Sequence, residues 1–459
     1  MEQLAKRFNK SRDSFLSSFL LLVTIGVCFS GHPKVFTSVS NVASYELSFI
    51  TLFLLFKLGQ PVSLPTKPGM IPLTFLSLWF LTIVYHALSL WLNAAPFYEV
   101  TLLKAGAITI HALFLYCLSS FLLHSRYAYK AICYALIGSS SFIAASYYIY
   151  ALYIKVDTQF FLEGALFAAN IRHVGFIASL ASLVAVAEIY SSRRLITHVL
   201  LTLVMSFNLS FVIWLGSRGG ILATLLTAIL MLLLYNHRQR LSLRMIFSTM
   251  AAMVLAVVIS LQFSIYSWNG PGRIIAQLST FSHHQSSTVE KKMDLSSGRL
   301  ELWRNTFERG QDNLWFGHGP ESFFVVSPDT GKIDSFLHPH NSLLQIFFDT
   351  GIFGLISAAI LLLTLARYLN FIRKRCTDEK FPEIICGLSL LVFLMLLSLT
   401  SGTLYFPQTL FFFVCAIAFT ANQSETSRKF DSTSTANATK SGSDQHLSNQ
   451  VHSARSSES

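Results

Sequence analysis

The sequence predicts an all-α polytopic membrane protein with about twelve transmembrane helices and one large outer loop that itself contains helices. Three observations predict it. Of 459 residues, 53% are hydrophobic and only 12% charged, with a mean hydropathy of +0.53, whereas an ordinary soluble domain carries about 25% charged residues. Twelve apolar runs have the length of a spanning helix, which needs roughly 20 residues. The basic residues also segregate by loop, as the positive-inside rule requires.

Taken in order, residues 1–13 are a short basic lead facing the cytoplasm. Nine runs follow within 14–265, near 14–31, 40–58, 70–92, 100–123, 129–153, 172–190, 195–214, 219–236 and 245–265. The long loop covers 266–340. A returning segment and three more runs, near 351–369, 382–401 and 404–421, occupy 341–421. From 422 to 459 the chain is Ser-, Thr-, Asn- and Gln-rich with almost no large apolar residues. Such a tail cannot bury enough surface to offset its ordering entropy and is expected to be disordered in the cytoplasm. The first run follows a basic lead, as a signal peptide's would, but it lacks a small-x-small cleavage site and counts as the first helix.

With the N-terminus inside, the inner loops and termini collect 22 Lys and Arg and the outer ones 11, with Lys104 inside a span making up the 34. Seven of the outer ones sit in the long loop, where the rule is weakest. The net charge of +11 therefore reads as topology and anionic-lipid contact, not nucleic-acid binding. The six cysteines (Cys28, Cys117, Cys133, Cys376, Cys386, Cys415) all avoid the outer loop. No structural disulfide is expected there, and no Cys-x-x-Cys or zinc spacing occurs.

Polar groups punctuate the apolar runs. Tyr147, Tyr148, Tyr150 and Tyr153 read as an aromatic belt at the outer end of the fifth run. His86, Lys104 and His111 lie inside runs, where ionisable groups are costly and point to function. Lys104 is one turn from an outer helix end, so it can also snorkel. The outer loop contains its own helix, with Leu300, Trp303 and Phe307 at helical spacing, Ser297 as N-cap and Gly310 as the C′ stop. Loops of this length are uncommon unless functional or disordered.

Three places carry chemistry. In Gly216-Ser217-Arg218-Gly219-Gly220, a span starts at the outer face, so free N–H groups and the positive dipole end point outward. Glycines there let a phosphate approach the backbone, and Arg218 adds a bidentate donor. A tight turn with an interfacial arginine has the same pattern. Arg299 repeats the arrangement in the first turn of the loop helix, where a solvated arginine near Glu301 is the plain alternative. His340 ends the loop in His338-Pro339-His340-Asn341, and a histidine at a membrane mouth suits general-base work. It can equally be structural, and a His338–His340 metal pair has no carboxylate or cysteine cluster to support it.

The ordered set resembles the O-antigen ligase and polymerase superfamily of bacterial envelope glycosyltransferases. The residues that carry the resemblance are His340-Asn341-x9-Gly351-x-x-Gly354, Ser217-Arg218-Gly219-Gly220, Gly298-Arg299 and Gly317-x-Gly319-Pro320-x-Ser322-Phe323. The large loop between spans nine and ten matches as well. The resemblance implies a multi-pass inner-membrane glycosyltransferase whose active site faces the periplasm, so that 266–340 is its periplasmic catalytic loop. It implies an undecaprenyl-diphosphate-linked glycan donor and, for the ligase, a lipid A-core acceptor. Arg218, Arg299 and His340 are the catalytic candidates. Arg172, His338, Asn341, Lys104 and Arg304 are candidate substrate contacts.

No cofactor or metal is called for: the chain lacks a P-loop and an Asp-x-Asp pair, and the periplasm supplies neither ATP nor sugar nucleotide. The ligase is the favoured member, ahead of the O-antigen polymerase and a protein O-oligosaccharyltransferase. A transporter of lipid-linked glycans would show internal repeats and polar residues across the midplane. No convincing repeat is visible.

Overall fold

A computed structural model of the chain describes residues 39–56, 81–89, 91–92, 98–124, 128–154, 171–192, 194–237, 242–263, 299–320, 322–326, 333–336, 338–375, 381–401 and 406–419. The helices are α1 (Val39–Phe56), α2 (81–89), α3 (Tyr98–His124), α4 (Ala128–Ile154), α5 (Ile171–Ser191), α6 (Leu195–Trp214), α7 (Arg218–His237) and α8 (Leu243–Gln262). They continue with α9 (Arg299–Gly310), α10 (Ser342–Arg375), α11 (Phe381–Ser401) and α12 (Pro407–Phe419).

Among the described residues, eight helices are long and apolar enough to cross a membrane; seven coincide with expected runs, and the eighth, Ser342–Ile360, overlaps the run near 351–369 only in part. The shorter apolar helices Val39–Leu55 and Pro407–Phe419 fall on two more. The run at 70–92 is described from residue 81, and those at 14–31 and the tail at 422–459 lie outside the described residues.

The loop helix forms where the spacing of Leu300, Trp303 and Phe307 placed it, and Arg299 is its first residue. Two features depart from expectation. An antiparallel hairpin, β1 (Phe324–Val326) with β2 (Ile333–Phe336), adds strands to the loop. Its short β-branched and aromatic runs suit a two-stranded ladder better than helix. Gly310 is not a left-handed stop: its φ is −65° and the chain continues into a 3-10 turn at Gln311–Asn313. Its missing side chain serves packing instead, since a Cβ there would stand 2.6 Å from the Phe347 ring. Ser297, the expected N-cap, lies outside the described residues.

α5 is the hub. It packs against α4, α6, α7 and α11, and nearly all of Val174–Ser191 is buried. Ala178, Ser179, Ala181, Ser182, Ala185 and Ala187 give it small residues that let neighbouring backbones approach, the usual basis of helix association in lipid. The expected tyrosine belt is half core: Tyr147 and Tyr148 are buried against Phe211 and Trp214, and the Tyr148 hydroxyl meets Ser210 Oγ at 2.9 Å. Tyr153 alone of the four is strongly exposed. At helical spacing 147, 148 and 151 share a face, and that face meets α6 rather than lipid. His111 has a partner that its position in an apolar run did not reveal, the fully buried Glu46 of α1 at 2.7 Å.

Candidate active site

The site begins where α10 breaks. Gly351 has φ 63° and ψ −153°, a conformation essentially restricted to glycine. It separates the segment 342–350 from the rest of α10. Breaking a helix orphans carbonyls on one side and N–H groups on the other. Both sets find partners in the turn Leu314–Gly319. The amides of His318 and Gly319 donate to the Phe348 and Asp349 carbonyls at 2.8 and 2.9 Å. The amides of Ile352 and Phe353 donate to the Leu314 and Trp315 carbonyls at 2.9 and 3.4 Å.

Backbone meets backbone this closely only because the side chains are missing. A Cβ on Gly317 would lie 2.5 Å from the Asp349 carbonyl carbon, and one on Gly351 would collide with the Trp315 carbonyl. Gly354 leaves room for the Thr350 side chain. Two motifs that are separate in the sequence, Gly317-x-Gly319 and Gly351-x-x-Gly354, therefore interlock as one unit.

At the other end of that unit stands His338-Pro339-His340-Asn341. His340 has φ 52°, the one positive φ outside glycine among the described residues, and for a histidine this is uncommon. Asn341 is a helix cap: its Oδ1 accepts from the Leu343 and Leu344 amides at 3.0 and 3.2 Å. Its carbonyl oxygen is thus committed to the start of α10, a role its neighbour-to-histidine position did not suggest. His338 lies edge-on to Phe406, with ring centroids 6.0 Å apart. Beneath the turn, the buried Gln345 donates from Nε2 to both carboxylate oxygens of Asp349 at 3.1 Å.

α9 joins this turn to the arginines. The Trp303 indole N–H donates to the Pro339 carbonyl at 2.6 Å, beside His340. One turn earlier on the same helix, Arg299 Nη1 donates to the Thr400 carbonyl at 2.7 Å. Thr400 is near the C-terminus of α11, where unpaired carbonyls and the negative dipole end favour a cation.

The same threonine also abuts the second arginine motif: a Cβ on Gly219 would stand 2.7 Å from Thr400 Oγ1. Arg218, the exposed first residue of α7, follows a turn made by Gly216 at φ 65°. Both arginine motifs, more than 80 residues apart in the sequence, thus converge on Thr400. No carboxylate among the described residues pairs with the Arg218 side chain. The start of α7, with Arg218 and its free N–H groups, thus lies close to the Arg299–Thr400 contact, and an arginine at a helix N-terminus suits an anion.

The remaining candidates are spread more widely. Arg172 lies in the first turn of α5, three residues before Gly175, where a Cβ would lie 4.0 Å from Ser217 Cβ; its side chain is outside the described residues. Arg304 is on the exposed side of α9, in an ion pair with Glu308 at 2.7 Å, and the carboxylate holds its guanidinium above the ordinary value. Lys104 is half-buried in α3. Trp303 and Thr400 are the residues sequence reasoning missed. Trp303 had been read only as the apolar stripe of a loop helix.

No curated protein matches the chain. Residues 202–359 match the family described as O-antigen ligase, a stretch that contains Arg218, Arg299, the interlocked glycines and His340. That match falls on the residues that form the site and supports the resemblance to the O-antigen ligase and polymerase superfamily.

Proposed function

We propose that this protein is a glycosyltransferase of the bacterial inner membrane that moves O-antigen polysaccharide from undecaprenyl diphosphate to the lipid A-core. It crosses the bilayer about twelve times, and the loop 266–340 and the active site face the periplasm. The 22-to-11 split of basic residues supports that orientation. The observation that carries the reading is α9 itself, which ties an arginine at the Thr400 anion place to the turn bearing His340.

In this reading Arg218 and Arg299 bind the donor's diphosphate and neutralise the charge that builds on the leaving oxygen. His340 takes the proton from an acceptor hydroxyl. The hydroxyl oxygen forms a bond to the anomeric carbon as the bond from that carbon to the phosphate oxygen breaks. The electron pair leaves with the lipid diphosphate, and configuration inverts. Asp349 and Gln345 lie buried one to two turns along α10 and hold its first segment rather than the substrate.

The test uses purified lipid-linked donor and acceptor. A positioned base contributes about 10²–10⁴-fold, so His340→Ala loses transfer by that factor while still binding the donor. His338→Ala is the milder control. Wild-type activity falls towards acid pH as the imidazole protonates, and EDTA leaves it unchanged. Retained transfer in His340→Ala, or loss on chelation, overturns the assignment. In cells, a deletion strain that makes core lipopolysaccharide without O-antigen and accumulates lipid-linked polymer identifies the ligase. A core bearing a single repeat indicates the polymerase instead.

A further inference from the structure

The turn that splices the α10 break also presents aromatic side chains outward. Trp315 is 59% and Phe316 44% exposed, and they adjoin Tyr85 and Phe353, themselves 50% and 45% exposed. The rings form a continuous patch: Tyr85 to Phe316 is 4.8 Å between centroids, Phe316 to Phe353 5.1 Å, and Trp315 to Phe353 6.3 Å. On an aqueous loop such a patch would be an anomaly.

Its neighbours explain it. Leu81, Tyr85 and Leu88 of α2 are all exposed and recur at i, i+4 and i+7, one face of a helix. In a membrane protein an exposed apolar stripe of this kind faces lipid. Phe316 lies on the middle of it, at Tyr85. On the other side, Phe353, Ile356 and Leu363 are likewise exposed along the spanning part of α10. The patch fills the gap between two lipid-facing stripes.

Depth agrees. The His86 ring N–H donates to the Phe316 carbonyl, and His86 lies six residues inside the apolar run that ends near 92. Irregular backbone at that depth is tolerated only when its polar groups are satisfied by protein. Here they are. The carbonyls of Leu314, Trp315 and Phe316 accept from Ile352, Phe353 and His86, and the amides of Gly317, His318 and Gly319 donate to Asn313, Phe348 and Asp349.

We propose that Leu314–Gly319 is a re-entrant wedge, seated in the hydrocarbon of the leaflet on the loop's side of the membrane, with Trp315 and Phe316 against lipid acyl chains. The segment that reads as aqueous loop in the sequence is a lipid-contact surface. The proposal rests on the membrane-spanning fold and not on the glycosyl-transfer reading, so either can fail without the other.

The test uses the full chain in phospholipid vesicles. The protein has six tryptophans, so the emission of wild type minus that of Trp315→Phe isolates Trp315. Phosphatidylcholine brominated at acyl carbons 6 and 7 should quench that difference about twofold more than aqueous iodide, as for an aromatic anchored below the headgroups. Iodide quenching equal to or greater than bromolipid quenching overturns the proposal. Protection from both quenchers also overturns it, because the patch would then be covered by a second copy or another protein. If Trp315→Phe does not insert, Trp315→Tyr supplies the same subtraction.

Discussion

The hub helix α5 and the site unit around Gly351 are held together by different physics. α5 is enclosed by side chains, and its buried residues, such as Ile177, Leu180 and Val184, touch neighbours through many small dispersion contacts. The site unit is joined by backbone hydrogen bonds across glycines, by one indole N–H and by one guanidinium. A core built from many weak contacts degrades gradually when one is trimmed. A splice built from a few directional bonds and forbidden volumes has no intermediate state to fall back on, so its sensitivity should be abrupt and confined to particular atoms.

The widest separation between the two regions is expected at the arginines. Arg218→Ala and Arg299→Ala should each abolish transfer with the protein still inserted, and Lys at either place should restore only part, because a point charge lacks the planar two-donor fork. Full activity in either alanine variant would remove that arginine from the site. Arg299→Ala should also loosen the loop, since Thr400 loses its partner; faster proteolysis between α9 and α10 would report this.

Gly351→Ala comes next. It combines a backbone conformation costing about 1–3 kcal/mol for other residues with a collision at the Trp315 carbonyl. Thermal unfolding in detergent should drop, and transfer should fall with it. An unaffected Gly351→Ala would mean that the break in α10 is not part of the working geometry.

Trp303→Phe keeps a ring but deletes the N–H that holds Pro339. One hydrogen bond contributes about 1 kcal/mol, so the turnover number should fall roughly fivefold to tenfold. The donor KM should stay constant because the arginines are untouched. A rise in KM alone would assign Trp303 to donor binding.

The smallest effect belongs to the hub. Ile177→Val should cost about 0.5–1.5 kcal/mol of stability and leave the kinetics unchanged. A kinetic defect there would show that the two regions are coupled.

Much of the architecture was legible because it is periodic. Apolar runs located the eight long apolar helices, and helical spacing located α9. The positions of Arg218 and Arg299 at helix starts were readable from the adjoining glycines. What was not legible depends on contacts between distant segments. Thr400 looks like any threonine at the end of a span until α7 and α9 are brought to it, and Glu46 reveals its purpose only beside His111. Gly310 and Asn341 show a further limit. Gly310 matched a local rule for helix stops yet serves close packing against Phe347, and Asn341, read as a substrate contact, caps the start of α10. Tyr147 and Tyr148 matched the composition of an interfacial belt while facing another helix.

The single turn of α9 between Arg299 and Trp303 has a consequence for how this loop can vary. An α-helix rotates about 100° and rises about 1.5 Å per residue. One inserted residue between the two would carry either the guanidinium away from Thr400 or the indole away from Pro339. Because one bond anchors to α11 and the other to Pro339 in the turn just before α10, the phase of this one turn transmits the rotational setting of α11 to the start of α10. Insertions elsewhere in the loop change its length, whereas an insertion here would change the angle between two halves of a membrane protein.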